Sequence, residues 1–182
     1  MSLHLRGWHG ILSDMKTKAT LRTELKAIRA AVPISDVVTK SQEIMSALVT
    51  VLKNIEFSTI HVYEPISKLR EVDVSELFDL PGVALYTSRK LAGEWHIVST
   101  LDDIAKITPR LDIVIVPMLG FDQKLQRIGY GGGYYDRLLA EYPNALKIGV
   151  CYESGKIEHV PAEAHDVPMD LIVTESRVVI AV

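Results

Sequence analysis

Six short runs rich in β-branched or aromatic residues most strongly constrain what this chain can fold into. They lie at residues 58–64, 83–88, 94–99, 111–118, 145–152 and 170–176, and proline, glycine or polar turn residues bound each of them. Helical stretches are predicted between these runs, at residues 74–80 and 134–142. Strands that alternate with helices predict a three-layer α/β/α domain with a mainly parallel sheet, helices on both faces and ligands at the strand ends.

Two longer helices are predicted ahead of the first strand. Residues 16–31 have apolar side chains at helical spacing, with basic residues on the remaining faces. The apolar positions are Leu21, Leu25 and Ile28. A second helix is predicted from Ser35 and Asp36 to about Asn54, since serine and aspartate are favoured at helix starts. We read residues 15–182 as a single domain, and residues 1–14 as an N-terminal extension or a remnant of cloning.

Composition excludes several classes of partner. The net charge of −3 gives no general attraction to nucleic acid or anionic lipid. No apolar run approaches the ~18 residues of a membrane span. The one cysteine, Cys151, cannot form an internal disulfide, and its apolar strand predicts a core residue rather than a nucleophile. These features favour a cytoplasmic protein that does not bind nucleic acid or membranes.

The segment QRIGYGGGYYDRLL, residues 126–139, places four glycines where a predicted strand leads into a helix. Glycines ahead of a helix N-terminus let backbone N–H groups approach phosphate, and Arg127 can add a charged fork. The alternative is a tight turn that requires positive φ. The spacing matches neither G-x-G-x-x-G nor a P-loop, so a dinucleotide enzyme is a weak alternative.

Three carboxylates are candidates for a role beside bound phosphate. Asp136 lies in the first turn of the predicted helix, where an acid also interacts favourably with the helix dipole. If phosphate occupies the loop, Asp136 is a natural Mg²⁺ ligand, and Asp166 in a polar loop is a second one. Glu71 lies in a loop, where the residue pattern alone favours a solvated side chain.

Four segments together resemble the 5-formyltetrahydrofolate cyclo-ligase family, also called methenyltetrahydrofolate synthetases. They are KATLR at 18–22, LGFD at 119–122, RIGYGGGYYDRLL at 127–139 and HDVPMDLIVTE at 165–175. The resemblance implies a fold similar to that of sugar-phosphate isomerases and CoA transferases. It also implies use of ATP and Mg²⁺ to convert 5-formyltetrahydrofolate to 5,10-methenyltetrahydrofolate. In that reaction the formyl oxygen is phosphorylated, N10 closes the ring, and ADP and phosphate are released.

The resemblance also implies roles for individual residues. Lys18 and Arg22 contact ATP phosphates, Asp136 and Asp166 bind magnesium, and Lys18, Arg127 and Asp136 are catalytic. The main ATP loop comprises Arg127, Ile128, Gly129, Tyr130, Gly131, Gly132, Gly133, Tyr134 and Tyr135. The folate contacts comprise Tyr63, Glu71, Tyr130, Gly131, Gly132, Gly133 and Tyr134.

One position departs from the family pattern, because Leu125 stands where the family is expected to have a glycine in the turn before Arg127. The resemblance implies a folate substrate, with or without a polyglutamate tail, and a protein that is a monomer or a homodimer. Two rival functions remain at this point. One is a noncatalytic paralogue that binds nucleotide or folate, and the other is a sugar-phosphate isomerase or CoA transferase on a similar fold.

Overall fold

A seven-stranded, mostly parallel sheet forms the centre of the protein. The computed structural model describes residues 16–100 and 110–180, so the predicted extension at 1–14 lies outside the described residues. The sheet order is β3-β2-β1-β4-β7-β8-β9, in which the five inner strands are parallel and the two edge strands antiparallel. The strands are β1 (Thr59–His61), β2 (Ala84–Leu91), β3 (Glu94–Ser99), β4 (Ile113–Pro117), β7 (Leu146–Val150), β8 (Leu171–Val173) and β9 (Val178–Ile180).

Helices cover both faces of the sheet, which confirms the three-layer α/β prediction. On β4, Ile113 and Ile115 face the layer formed by α2 (Ile34–Leu52), whereas Val114 and Val116 face α3 (Tyr134–Glu141). This alternation follows from the two-residue period of a strand, and it makes β4 apolar on both sides. The inner strands therefore read as continuous apolar runs in the sequence.

The first helix, α1 (Lys18–Ala31), lies outside these layers. Its residues Leu21 and Leu25 form a separate small core with Leu119, Ile128 and Val160. Ile128 belongs to β6 (Arg127–Ile128), which pairs with β5 (Gly120–Phe121) in a two-stranded antiparallel ribbon. The ribbon follows β4 directly, so α1 packs at the carboxyl end of the parallel strands.

The strand order reverses between β1 and β4. From β1 the chain moves to β2 on one side, and from β4 it moves to β7 and β8 on the other. In open parallel sheets the crevice outside such a reversal is where ligands bind. The fold thus places a binding crevice beyond β1 and β4.

The predicted helical stretch at 74–80 is confirmed as a short 3-10 helix, Ser75–Asp79. Two other details differ from the prediction. The predicted strand at 170–176 ends at Val173, because the Thr174 hydroxyl accepts hydrogen bonds from the Ser176 and Arg177 amides and turns the chain into β9. The β5–β6 ribbon was not predicted, since two-residue strands leave no readable period. None of the helices in the described part of the chain is both long and apolar enough to cross a membrane.

Candidate active site

A cleft of about 1160 Å³ opens beyond the carboxyl ends of β1 and β4. Every predicted site residue except Ile128 lines this cleft, although these residues come from distant parts of the sequence. They are Lys18 and Arg22 of α1, Tyr63 and Glu71 after β1, Arg127 of β6, the loop from Gly129 to Gly133, Tyr134, Tyr135 and Asp136 of α3, and Asp166. The Ile128 side chain is buried in the core beneath α1, so only its main chain can face a ligand.

The glycine loop brings backbone N–H groups to the cleft at the start of α3. Gly131 and Gly133 have φ of 97° and 63°, in the left-handed region that other residues seldom adopt. Gly133 is the N-cap of α3 and has no side chain with which to cap the N–H groups of the first helical turn. The positive φ of the tight-turn interpretation is confirmed. The same conformation exposes N–H groups of the kind that a phosphate cradle requires, and the cradle itself stays a prediction.

Arg22 joins α1 to this loop. Its Nε donates to the Gly129 carbonyl over 3.1 Å. A Cβ atom on Gly131 would lie 3.2 Å from the same Nε, so the absence of a side chain lets the arginine pass close to the loop. Arg22 thus fixes the loop main chain while its side chain lines the cleft.

Lys18 and Asp166 form an ion pair on the cleft wall. The lysine Nζ lies 2.6 Å from Asp166 Oδ1, and the side chains are only 12% and 14% exposed. The Asp166 carboxylate also accepts the Glu163 amide over 2.6 Å. Partial burial opposes ionisation of Asp166, but the Lys18 hydrogen bond and this amide outweigh it and hold the pKa below its usual value. Asp166 is therefore a carboxylate at neutral pH.

A second ion pair joins Arg127 to Asp136. The Arg127 side chain is 8% exposed, and its buried Nε has no hydrogen-bond partner within the described residues. Both predicted magnesium ligands are thus already neutralised by a basic side chain. They sit in two separate pairs rather than as one acidic cluster.

The side chains around Asp166 are suited to bind a divalent cation. The donor atoms of Glu163, His165 and Asp166 lie within 4.8 Å of one another, and carboxylate oxygens are the ligands that Mg²⁺ prefers. Among the described residues this group contains Asp166 but not Asp136. The structure does not bring the two predicted magnesium ligands into one ligand group.

Of the predicted folate contacts, Tyr63 and Glu71 follow β1, and the others belong to the glycine loop and the start of α3. Glu71 is 6% exposed and accepts the Ile66 amide over 2.8 Å, so the interpretation of Glu71 as a solvated side chain is wrong. Burial raises the pKa of its carboxyl. The hydroxyl of Tyr63 donates to the Val72 carbonyl over 2.6 Å, which fixes the tyrosine against the segment that carries Glu71.

Arg29 was not predicted from the sequence, and it supports the site through Tyr130 rather than by lining the cleft. Arg29 is 5% exposed, donates to the Tyr130 hydroxyl over 3.0 Å and to the Met118 carbonyl, and lies 5.6 Å from the Tyr152 ring. Ile28, one of the three apolar positions of the predicted helix, is 44% exposed. Leu21, Leu25 and Arg29 recur every four residues, and this spacing was the available signal.

The turn before Arg127 accommodates the leucine that departs from the family pattern. Leu125 has φ of 58°, in the left-handed region where a glycine would be expected, and its side chain is 1% exposed. The Asp122 carboxylate accepts the amides of Lys124 and Gln126 and holds the turn. Burial of a leucine stabilises by about 1.5–3 kcal/mol, enough to offset the ~1–2 kcal/mol of the left-handed conformation.

Comparison with known proteins agrees with this geometry. Residues 94–175 match the model of the 5-formyltetrahydrofolate cyclo-ligase family. The cyclo-ligases of Escherichia coli K12 and Haemophilus influenzae are 36% and 41% identical over 80 and 84 residues. These matches cover 42% and 44% of this chain and 44% of each relative, so less than half of either relative is matched.

Longer matches come from Mycoplasma pneumoniae and Aquifex aeolicus. The M. pneumoniae cyclo-ligase is 31% identical over 123 residues, which cover 64% of this chain and 73% of the relative. The solved 5,10-methenyltetrahydrofolate synthetase of M. pneumoniae superposes with a TM-score of 0.77 at 26% identity, over 88% of this chain and 99% of that one. The A. aeolicus synthetase gives 0.75 at 27% identity, over 88% and 91%. From its sequence and its fold, the chain belongs to the 5-formyltetrahydrofolate cyclo-ligase family.

Proposed function

We propose that this protein uses ATP and Mg²⁺ to convert 5-formyltetrahydrofolate to 5,10-methenyltetrahydrofolate, releasing ADP and phosphate. One observation carries the proposal: a single cleft is lined by a glycine loop at a helix start, by two ion pairs between basic and acidic side chains, and by the buried carboxylate of Glu71. Ligand pockets commonly measure about 300–1,000 Å³, and this cleft of about 1160 Å³ suits two substrates together.

The glycine loop and the basic side chains near it would bind the triphosphate. Free N–H groups at the start of α3 and the nearby Arg127 attract anions, and Lys18 adds a further positive charge. Asp166, which lies in one group with Glu163 and His165, would hold Mg²⁺, and the bound ion would neutralise phosphate charge. Asp136, which lies outside that group, is the second expected ligand. Both acids now pair with basic side chains, and phosphate would give those basic side chains an alternative partner.

Glu71 would bind the pterin. A carboxylate accepts hydrogen bonds from ring N–H groups, and Glu71 is buried on the cleft wall where water competes little. Tyr130 of the glycine loop lines the same cleft, and its hydroxyl accepts from Arg29. This arrangement would bring the formyl group of the folate close to the terminal phosphate.

The chemistry requires positioning more than a nucleophilic side chain. A formamide oxygen is a poor leaving group, so it must be phosphorylated before N10 attacks the formyl carbon. The chain would orient the two substrates and stabilise negative charge on the transferred phosphoryl group with Lys18, Arg127 and loop N–H groups. Cys151 is unsuited to covalent catalysis, because it is fully buried and burial raises its pKa to about 12.

The proposal extends to setting and partners. We place the enzyme in the cytoplasm, acting on folate with or without a polyglutamate tail, as a monomer or homodimer. The absence of a membrane-crossing helix among the described residues and the single buried cysteine are compatible with this setting.

A spectrophotometric assay tests the proposed reaction. Purified protein is mixed with 5-formyltetrahydrofolate, ATP and Mg²⁺, and the near-ultraviolet absorbance of methenyltetrahydrofolate is followed, with each component omitted in turn. We expect product only in the complete mixture. Binding of both substrates without product would indicate a noncatalytic paralogue. Product without ATP would contradict the proposed reaction.

A further inference from the structure

Three side chains from three elements form a continuous polar chain at the base of the cleft. His61 of β1 lies with its Nε2 2.7 Å from the Ser88 hydroxyl on β2, and Ser88 is in turn hydrogen-bonded to the Tyr134 hydroxyl. Tyr134 is the first residue of α3, directly after the glycines. These three hydrogen-bonded side chains therefore connect the centre of the sheet with the end of the glycine loop.

His61 can act here only as a neutral hydrogen-bonding group. It is fully buried, and burial lowers its pKa to about 4. Its Nδ1 has no hydrogen-bond partner within the described residues. Among those residues, Ser88 is the one side chain to which the His61 ring is hydrogen-bonded. Burying a histidine for one bond is costly, which suggests that the bond serves the group beyond Ser88.

Both the hydroxyl and the ring of Tyr134 are held in place by neighbouring side chains. Ser88 fixes the hydroxyl, and the ring meets the Tyr135 ring edge-on, with centroids 5.0 Å apart. On its other side the ring contacts Trp95, with centroids 5.1 Å apart and planes inclined by 44°. Tyr134 and Trp95 both line the cleft.

Trp95 is unusual for a tryptophan in a folded domain. It lies on the edge strand β3, and 51% of its surface is exposed. A large aromatic side chain of this kind, backed by a second ring and open to a cleft, is a suitable surface for stacking a planar ligand. Tyr134 supplies that backing only if its ring is held in one orientation.

We propose that Tyr134 and Trp95 form an aromatic platform that stacks a planar nitrogen heterocycle of the ligand, and that Ser88 and His61 are positioning residues for this platform. The inference rests on the proposed function, in which both substrates carry such a ring: adenine in ATP and the pterin in the folate. Fixing Tyr134 before binding removes part of the entropy cost of ordering the site, so the polar chain should act on affinity.

Tryptophan fluorescence tests the platform directly. The chain has two tryptophans, so a Trp8→Phe background leaves Trp95 as the sole reporter. This protein is titrated separately with ADP and with 5-formyltetrahydrofolate. We expect saturable quenching by at least one ligand, whose identity shows which ring stacks. Trp95→Leu should raise the Kd of that ligand about 3- to 10-fold, measured by calorimetry.

A double-mutant cycle tests the positioning role. Ser88→Ala should raise the same Kd about fivefold when Tyr134 is present and leave it unchanged in a Tyr134→Phe background. Tyr142→Phe, a second buried tyrosine at the end of α3, is the matched control and should leave the Kd unchanged. His61→Asn should act in the same direction as Ser88→Ala.

Two results would overturn the inference. One is the absence of quenching by either ligand, and the other is an equal effect of Ser88→Ala in both backgrounds. Turnover measured on the same samples separates this failure from failure of the proposed function. Turnover without quenching removes the platform alone, whereas quenching without turnover removes the reaction alone.

Discussion

Lys18 and Asp166 are 148 positions apart in the sequence, yet the lysine Nζ lies 2.6 Å from the aspartate Oδ1. The pair joins α1 to the segment before β8 on the wall of the cleft. In the proposed function Lys18 is the cation for phosphate and Asp166 is the carboxylate for metal. Predictions for either residue therefore depend on the other.

Replacing Asp166 should weaken metal binding. In Asp166→Asn the metal loses a charged ligand, so we expect the Mg²⁺ concentration for half-maximal activity to rise about tenfold or more. Calorimetric titration of Mg²⁺ in the presence of ADP provides a readout independent of turnover. Asp79→Asn, at an exposed aspartate in the 3-10 turn, is the control. An unchanged Mg²⁺ requirement would remove Asp166 from the metal site.

Arg22 should matter through its geometry as well as its charge. Arg22→Ala removes both the cation and the Nε bond to Gly129, and we expect the KM for ATP to rise about tenfold. Arg22→Lys keeps the charge but loses the Nε donor, so it should recover only part of the loss. Lys18→Ala should also raise this KM. Lys16→Ala is the charge-matched control, because Lys16 is 57% exposed and pairs with Glu24. Unchanged KM values for Lys18→Ala and Arg22→Ala would remove α1 from the ATP site.

Arg29 should be required for stability as well as for the site. Arg29→Met leaves the Met118 carbonyl and the Tyr130 hydroxyl without their donor, at an expected cost of about 3 kcal/mol and a Tm lower by about 10 °C. Tyr130→Phe removes one of these two bonds, so it should cost less stability while raising the KM for the folate. Lys53→Met, at an exposed lysine, should leave both quantities unchanged. An Arg29→Met protein as stable as wild type would show that the buried contacts contribute little.

Two substitutions at Leu125 should differ in their effect on stability, and their rank order is the prediction. Leu125→Gly loses the buried side chain but relieves the positive φ, whereas Leu125→Ala loses most of the side chain and keeps the strain. Thermal unfolding should therefore rank wild type above Leu125→Gly, and Leu125→Gly above Leu125→Ala by about 1 kcal/mol. The reverse order of the two variants would mean that the backbone at this turn is not left-handed.

Asp112 should contribute stability that depends on pH. Its Oδ2 accepts from the amide and hydroxyl of both Ser58 and Thr59, and these bonds, the amide of Ser58 foremost, lower its pKa from 3.8 to about 2. A lowered pKa means that the stabilisation is complete above the unfolded value and is lost as pH falls from about 4 to about 2. Asp112→Asn should thus have a lower Tm at pH 7, and the difference should shrink toward pH 2. A constant difference across this range would contradict the shift.

The sequence predicted elements with a clear period and missed those without one. The apolar runs of β4 and β7 were readable, because burial on both faces of a strand imposes a continuous apolar pattern. The turn at Thr174 was not, since it depends on hydrogen bonds from one hydroxyl. Arg29 was misplaced because a buried guanidinium breaks the apolar pattern and is recognisable only through its partners.

The sequence indicated which residues to expect at the site but not how they pair. The glycine loop and Asp136 are local in sequence, so their place at a helix start was readable. Their roles were implied by the family resemblance and stay predictions. The pairs Lys18–Asp166 and Arg127–Asp136, and the chain from His61 through Ser88 to Tyr134, depend on how α1, β2 and α3 meet. Pairings of this kind follow from the fold and cannot be read from any single segment.

The most direct measurement of the central claim is the amount of ADP formed per methenyltetrahydrofolate formed. ADP and product are quantified in the same reaction, with Asp136→Ala as the inactive control. The account predicts one ADP per methenyltetrahydrofolate for the wild-type protein. For the Asp136→Ala variant, which should retain its fold, it predicts neither ADP nor methenyltetrahydrofolate. Methenyltetrahydrofolate formed without ADP, or ADP formed without methenyltetrahydrofolate, would contradict it.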